Sequence, residues 1–182
     1  MSDELKKVLY GIAAQFKYPD ASMILDGSSE RLIREMDEAG IDKTVILALD
    51  YELALKGKVT YRYYNEYVAD IVKKYPDRFV GFAGIDPRRG KEAIKELERC
   101  VEELGLKGVK LWPLTGFYPD DQQFYPFYKR VEELGIPILI HTGIGPPYTY
   151  LKYNRPVFVD KIAVDFPEIK IIMAHVGDPW SN

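Results

Sequence analysis

The chain lacks the features that mark secreted, membrane-bound and nucleic-acid-binding proteins. A single cysteine among 182 residues, Cys100, excludes an internal disulfide. No apolar run approaches the roughly 20 residues that a membrane helix needs, and the acidic first residues are unlike a signal peptide. The formal net charge is −3 without a basic patch, which disfavours nucleic-acid binding. We therefore expect a cytoplasmic protein whose partners include neither nucleic acid nor a membrane.

The motifs of nucleotide-binding open sheets are also missing. The sequence contains neither G-x-G-x-x-G nor G-x-x-x-x-G-K-[ST], so no phosphate-binding loop is predicted. The composition is that of a globular protein, with 47% hydrophobic and 29% charged residues. The length suits one domain with a substantial core. We predict a single domain over 1–182, with an N-terminal helix and loop at 1–27 and repeating units at 28–180.

A strand-and-helix pattern repeats along these units. Helical segments with an apolar face end at glycine or proline, and a short apolar run with a polar last residue follows each one. The predicted strands are 44–50, 79–86, 108–112, 136–143 and 169–175. The predicted helices are 2–16, 28–39, 59–75, 91–104, 126–134 and 156–165. Units of this kind with short connections indicate an α/β fold with a parallel sheet.

The strand ends favour a barrel over an open sheet. The candidate functional residues at the strand ends are Asp50, Asp86, Lys110 with Trp112, His141 and His175. Side chains from the ends of several strands form the single site of a (β/α)8 TIM barrel, which has eight strands. Because this chain supplies about five βα units, we predict an incomplete TIM barrel. Its outer strands would have open edges, which favour self-association or pairing with a complementary chain.

The chain has two histidines, and each follows an apolar strand. His141 and His175 are one strand–helix unit apart, so we expect them on neighbouring strands at the same end of the sheet. They could share a metal ion, or one could bind metal while the other transfers a proton. The alternative is that each is a buried histidine bonded to a neighbouring carbonyl group. Because both lie at strand ends, we favour the functional interpretation.

The charged residues in and after the strands have two interpretations each. Lys110 lies within an apolar strand, where a lysine is unfavourable without a partner. It could bind a substrate anion or form a carbamate that bridges metal ions. Alternatively, it could extend to the barrel mouth or pair with Asp86. Asp50 and Asp86 precede turns, and for both we favour a structural role.

The loops add candidates for substrate binding. Trp112, Tyr148 and Tyr150 could line a pocket, although aromatic residues near loops more often serve packing. Arg155 could hold a substrate carboxylate. Cys100 lies on an apolar helix face with no histidine near it in the sequence, which disfavours a nucleophilic role.

Three stretches carry a resemblance to a known family. They are Gly108-Val-Lys-Leu-Trp-Pro113, Ile136-Pro-Ile-Leu-Ile-His-Thr-Gly143 and Asp165-Phe-Pro-Glu-Ile-Lys-Ile-Ile-Met-Ala-His-Val-Gly177. With Gly40-Ile-Asp-Lys-Thr-Val45, they resemble the amidohydrolase-related metal-dependent hydrolases. The resembling branch includes aminocarboxymuconate semialdehyde decarboxylase and related aromatic-acid decarboxylases. The resemblance runs from about residue 28 to residue 180.

The resemblance implies a divalent metal ion, often zinc, at the mouth of a (β/α)8 barrel. By position, His141 matches the metal ligand of the family's fifth strand, and His175 matches the sixth-strand histidine that acts on metal-bound water or substrate. Lys110 matches the fourth-strand lysine. The family's first-strand His-x-His and its eighth-strand aspartate have no counterpart in this sequence. The chain therefore maps to strands two to six, and its metal binding would be weak because catalytic zinc normally has three protein ligands.

Two functions remain open. The resemblance implies a metal-dependent hydrolase or decarboxylase for a small carboxylated substrate, in a truncated or split form. In it, His141 binds metal, His175 is catalytic, and Lys110, Trp112 and Arg155 bind substrate. The alternative is a non-catalytic half-barrel that binds a partner chain or a small acid without turnover.

Overall fold

The computed structural model describes residues 7, 10, 11, 13, 14, 27–54, 60–145 and 149–180. The described positions between 7 and 14 are helical. The rest of the helix predicted at 2–16, and the loop predicted up to residue 26, lie outside the described residues.

From residue 27 onward, helices and strands alternate in the described part of the chain. The helices are α1 (Ser29–Glu38), α2 (Tyr61–Lys74), α3 (Lys91–Glu102), α4 (Tyr125–Glu133) and α5 (Val157–Asp165). The strands are β1 (Thr44–Leu47), β2 (Phe79–Gly84), β3 (Gly108–Leu111), β4 (Ile138–His141) and β5 (Ile171–Ala174). None of the described helices combines the length and apolarity needed to cross a bilayer.

The helix ends follow from local sequence. The Ser28 and Thr60 side chains accept hydrogen bonds from the backbone N–H of the third residue beyond, which caps α1 and α2. Gly40 follows α1 with a φ of 68°, a left-handed conformation that glycine adopts without steric cost. The predicted helix from Ser28 or Ser29 is therefore confirmed.

All five strands form one parallel sheet in the order β1-β2-β3-β4-β5. Neighbours in the sheet are neighbours in sequence, as in a (β/α)8 barrel. An open doubly wound sheet would instead reverse its strand order at a switch point. The prediction of about five βα units of a TIM barrel is confirmed.

The two faces of the sheet differ in what they contact. The outer face packs against the helices, and its residues Val109, Leu111, Ile138 and Ile140 are fully buried. The inner face carries the alternate residues, among them Phe82, Lys110 and His141, which follow from the register. This face corresponds to the interior of a closed barrel.

The strands end earlier than the apolar runs predict. β1 stops at Leu47 rather than at residue 50, although the Ala48 N–H still donates to the Phe82 carbonyl at 3.0 Å. β5 stops at Ala174, because His175 has a φ of 60° and begins a tight turn. In both places, the chain leaves the sheet at its carboxyl edge and forms the candidate site.

Candidate functional site

Three ring side chains meet at the carboxyl edge of β3, β4 and β5. The ring centroids of His141 and His175 are 4.5 Å apart. The indole of Trp112 lies edge-on to the His141 ring at 6.4 Å. The structure therefore brings together the rings of three of the five predicted site residues, and a fourth, Lys110, lies on the same face of the sheet.

His141 is the last residue of β4 and is buried. Its Nε2 lies 2.9 Å from the carbonyl oxygen of Ile144. Burial, followed by the positive charge of Lys110, lowers the pKa of His141 to about 4, and the Ile144 carbonyl opposes this only in part. The imidazole is consequently neutral near pH 7. When Nε2–H donates to Ile144, Nδ1 carries the lone pair, so the carbonyl contact and a metal-binding role are compatible.

His175 is held by an unusual backbone turn. His175 and Val176 both have positive φ values, 60° and 53°, which side chains with a Cβ rarely adopt. Burial and then the charge of Lys110 lower the pKa of His175, while the Asp178 carboxylate opposes the shift. Backbone strain of this kind concentrates at functional sites. Here it directs the His175 ring towards His141.

The loops after β4 and β5 are joined directly. The Thr142 hydroxyl donates to the Ala174 carbonyl at 2.7 Å. A Cβ on Gly143 would lie 3.0 Å from the Cβ of His175, so a larger residue would force the two loops apart. The side-chain amide of Asn154 also donates to the Gly143 carbonyl, at 2.9 Å. The short distance between the two imidazoles therefore depends on Gly143.

Lys110 lies beneath the histidines on the same face of the sheet. It pairs with Leu139 in the register, two residues before His141 on that face, and it is 4% exposed. Burial lowers its pKa to about 7. No carboxylate among the described residues forms an ion pair with its ammonium group. The suggested pairing with Asp86 is wrong, because the carboxylate of Asp86 is otherwise engaged.

Asp86 has two partners of its own. It accepts from Arg88 at 2.6 Å and from the Thr115 hydroxyl at 3.1 Å. Its Oδ1 also accepts from the Arg88 backbone N–H at 3.0 Å, which is turn chemistry of the predicted kind. Lys110 is thereby left without an anionic partner within the described residues.

Asp50 is likewise structural. Its carboxylate receives two hydrogen bonds from Arg89, at 2.7 and 2.9 Å, and one from the Asp86 backbone N–H at 3.0 Å. These contacts join the loops after β1 and β2. Sequence reasoning missed Arg88 and Arg89, although two arginines directly after Asp86-Pro87 were an available signal.

A further aromatic residue, Tyr51, was also missed. Its ring centroid lies 6.0 Å from that of Trp112 and 5.4 Å from that of Tyr64. Of the predicted pocket residues, Tyr150 is 68% exposed, and Tyr148 lies outside the described residues. Arg155 is exposed and forms no ion pair with a described residue. Its proposed contact with a carboxylate remains a prediction.

Few side chains in the described part of the chain lie where they could bind a metal ion together. No group of three or more His, Cys, Asp or Glu side chains converges among the described residues. Two adjacent imidazoles remain, and neutral imidazole is a common metal donor. His141 and His175 therefore fit part of a divalent-metal site, with other ligands to come from water, substrate or further protein groups.

Cys100 has no place in this chemistry. It lies in the core on α3, and its thiol donates to the buried Glu96 carboxylate at 3.4 Å. Burial, with the nearby charge of Glu96, raises the pKa of the thiol far above its usual range. The thiolate that a nucleophile requires is thus strongly disfavoured, as the sequence indicated.

The chain belongs to the amidohydrolase family, because the family model for amidohydrolases matches residues 26–182. Gamma-resorcylate decarboxylase from Polaromonas sp. is 29% identical over 213 residues, covering 94% of this chain and 63% of the relative. 2-Amino-3-carboxymuconate-6-semialdehyde decarboxylase from Dictyostelium discoideum is 33% identical over 81 residues, covering 44% of this chain and 23% of the relative. The family predicted from the three motifs is confirmed.

Solved structures show the same fold. An uncharacterised TIM-barrel protein from Bordetella bronchiseptica superposes with a TM-score of 0.71 and 31% identity, covering 89% of this chain and 55% of that chain. Dihydroxybenzoic acid decarboxylase from Polaromonas sp., with bound manganese and the inhibitor 2-nitroresorcinol, has a TM-score of 0.68 and 27% identity. The match covers 94% of this chain and 62% of the decarboxylase. This chain therefore spans less than two thirds of the length of these relatives.

Proposed function

We propose that the chain carries part of the active site of a metal-dependent decarboxylase or hydrolase that acts on a small carboxylated substrate. The observation that carries this proposal is the pair of imidazoles, 4.5 Å apart, above a buried lysine. The Polaromonas and Dictyostelium relatives are decarboxylases, which favours decarboxylation over hydrolysis.

His141 is the proposed metal ligand. Its imidazole is neutral near pH 7, which leaves a nitrogen lone pair free for a cation. When bound, a divalent ion would polarise the substrate and lower the pKa of coordinated water. The bound manganese of the Polaromonas decarboxylase makes Mn²⁺ a second candidate beside Zn²⁺.

His175 is the proposed proton-transfer group, and Lys110 is the proposed anion-binding group. In a decarboxylation, the bond between the carboxylate and the ring carbon breaks, and the electron pair left on carbon must accept a proton. His175 lies at the carboxyl edge beside His141, where it can transfer that proton. Lys110 supplies a positive charge for a substrate carboxylate, and Trp112 contributes an apolar surface next to it. Arg155, exposed in the loop before α5, is proposed to contact the same substrate.

Metal analysis of the purified chain tests this assignment. We expect the wild-type chain to bind Zn²⁺ or Mn²⁺ weakly, with a stoichiometry near one at saturation, measured by plasma mass spectrometry at equilibrium dialysis against a series of metal concentrations. His141→Ala should weaken the binding by at least tenfold, because it removes one of the two imidazoles. The control Tyr150→Ala alters a largely exposed side chain and should leave the metal content unchanged. Full metal retention in His141→Ala would contradict the ligand assignment.

A second candidate function is a half-barrel that binds a partner chain or a small acid without turnover. It is favoured by the small number of metal donors, since no third metal-ligating side chain among the described residues converges with the two imidazoles. Measured release of CO₂ from 2,6-dihydroxybenzoate distinguishes the two candidates. Binding that neither releases CO₂ nor depends on Zn²⁺, Mn²⁺ or His141 would favour the second.

A further inference from the structure

We propose that Tyr51 is a specificity-determining residue that, together with Trp112, forms an aromatic wall selecting planar ring carboxylates over saturated ones. The inference rests on the proposed function, because it assigns a substrate shape to the same site. It concerns a residue that follows β1, two strands away from Trp112.

The path of the backbone after β1 carries Tyr51 to the site. Beyond Ala48 the chain crosses over the end of β2 instead of continuing the sheet. A Cβ on Gly84 would lie 2.5 Å from the carbonyl carbon of Ala48 and 2.6 Å from the Leu49 nitrogen. The absence of a side chain at Gly84 therefore allows the crossing. The crossing segment brings the Tyr51 ring to the carboxyl end of β3, where it contacts Trp112.

The rings form a continuous series along the carboxyl edge of the sheet. Tyr51 lies edge-on to Trp112 at 6.0 Å with an interplanar angle of 72°. Trp112 lies edge-on to His141 at 6.4 Å and 70°, and His141 is followed by His175. Edge-to-face spacings of this size are attractive and present flat ring surfaces to a ligand. A planar ring bound beside the imidazoles would contact this series along one side.

The charges around this aromatic wall are compatible with a bound carboxylate. Burial first, and then the neighbouring Tyr64 hydroxyl, raise the pKa of Tyr51, so its hydroxyl stays neutral. The ammonium group of Lys110, on the same face of the sheet, is the positive charge that acts on both histidines, and it attracts a carboxylate. A ring carboxylate can thus place its charge towards Lys110 and its ring against Tyr51 and Trp112.

A simple packing role for Tyr51 makes a different prediction. If Tyr51 only packs against Tyr64, its loss would weaken the fold or would affect all acids equally. Tyr63 and Tyr67 form a stacked pair, 6.3 Å apart, on the exposed surface of α2. Tyr63 also contacts Tyr64, the neighbour of Tyr51, at 5.8 Å, whereas Tyr67 lies one ring further away and is 44% exposed. Tyr67 therefore offers a control of the same residue type outside the ring series.

Calorimetric titration of the full chain with two matched acids tests the proposal. Benzoate and cyclohexanecarboxylate have the same charge and similar size, but only benzoate is planar. We expect the wild type to prefer benzoate by about threefold to tenfold, the range of an aromatic pair contact. Tyr51→Leu should reduce this preference by weakening benzoate alone, because only Trp112 then remains, and Tyr51→Phe should retain it. Tyr67→Leu should behave as wild type, and thermal unfolding should show that all variants are folded.

The outcomes separate this proposal from the proposed function. An unchanged preference in Tyr51→Leu, or an equal loss of affinity for both acids, overturns the role of Tyr51 and leaves the carboxylate site intact. Failure of the wild type to bind benzoate, cyclohexanecarboxylate and 2,6-dihydroxybenzoate, with or without Zn²⁺, overturns the proposed function and this inference with it.

Discussion

Lys110 destabilises the fold while it supplies a positive charge to the candidate site. A buried ammonium group without a carboxylate partner is unfavourable, because the protein interior solvates charge less well than water does. Natural sequences exclude lysine from such positions unless it has a task. The neighbouring histidines indicate that the role of Lys110 is to supply a positive charge to the candidate site.

The substitution Lys110→Met should stabilise the fold in a pH-dependent way. Burial lowers the pKa of Lys110 to about 7 from the usual 10.5. Between these values the unfolded chain binds more protons than the folded one, so stability rises with pH across this window. The destabilisation caused by burying the charged form of Lys110 is complete below about pH 7 and vanishes above about pH 10.5. We expect Lys110→Met to raise the free energy of unfolding by roughly 3 to 5 kcal/mol at pH 7 and far less at pH 10.5.

Urea unfolding of Lys110→Met and wild type at both pH values measures this difference. Lys170→Met, at an exposed position, is the control and should change stability by less than about 0.5 kcal/mol. An equal gain at pH 7 and pH 10.5 would show that packing, rather than charge, accounts for the effect.

At the scale of the element, β2 is the strand on which the site depends. Its last residue, Gly84, permits the crossing of the chain after β1, and the Gly84 backbone N–H donates to the Asn65 side chain at 2.8 Å. Asn65 in turn donates to the buried Glu96, at 3.0 Å, which joins α2 to α3. Burial alone would raise the pKa of Glu96, but the hydrogen bonds from Arg99 and Asn65 outweigh it and lower the value.

Gly84→Ala should destabilise the fold and displace the crossing segment. The added methyl group would lie 2.5 Å from backbone atoms of Ala48, which cannot move as a flexible side chain can. We expect a loss of about 1 to 3 kcal/mol in the free energy of unfolding, measured in urea. Gly27→Ala places its methyl group in open space and should cost less than about 0.5 kcal/mol. Equal stability of the two variants would refute the close contact.

At the scale of the whole molecule, the two outer strands of the sheet remain only partly covered. Val45 and Leu47 of β1 are 45% and 37% exposed, and Ile172 of β5 is 45% exposed. The register places all three side chains on the inner face of the sheet. The central strand β3, by contrast, is buried throughout. Exposed apolar edge strands favour pairing with another chain.

We therefore expect the 182-residue chain, studied by itself, to self-associate through these outer strands and their exposed inner face. Ile172→Lys places a charge on the edge strand β5 and should lower the sedimentation coefficient at a fixed concentration. Val164→Lys on α5 introduces the same charge at a 70% exposed position away from the strand edge and should sediment as wild type. Equal sedimentation of wild type and Ile172→Lys would argue against association through β5.

Much of the architecture could be predicted from local sequence. The runs around Lys110 and His141 are short, apolar and bounded by proline or glycine, which is sufficient to place strands. Asp50 and Asp86 were correctly assigned to turns, because an aspartate bonded to the backbone two residues on is a local interaction. The strand ends were less accurate, since the exit of the chain at Ala48 depends on Gly84, far away in sequence.

The sequence by itself determined that strands and helices alternate and that His141 and His175 each follow a strand. Both properties depend on residues close together in the chain. Only the tertiary structure decided that the two imidazoles lie 4.5 Å apart, that Lys110 lacks the partner Asp86, and that Tyr51 reaches Trp112. These outcomes depend on strand register, on the approach allowed by Gly143, and on competing partners of Asp86 such as Thr115. Such contacts join residues distant in sequence, so no local pattern specifies them.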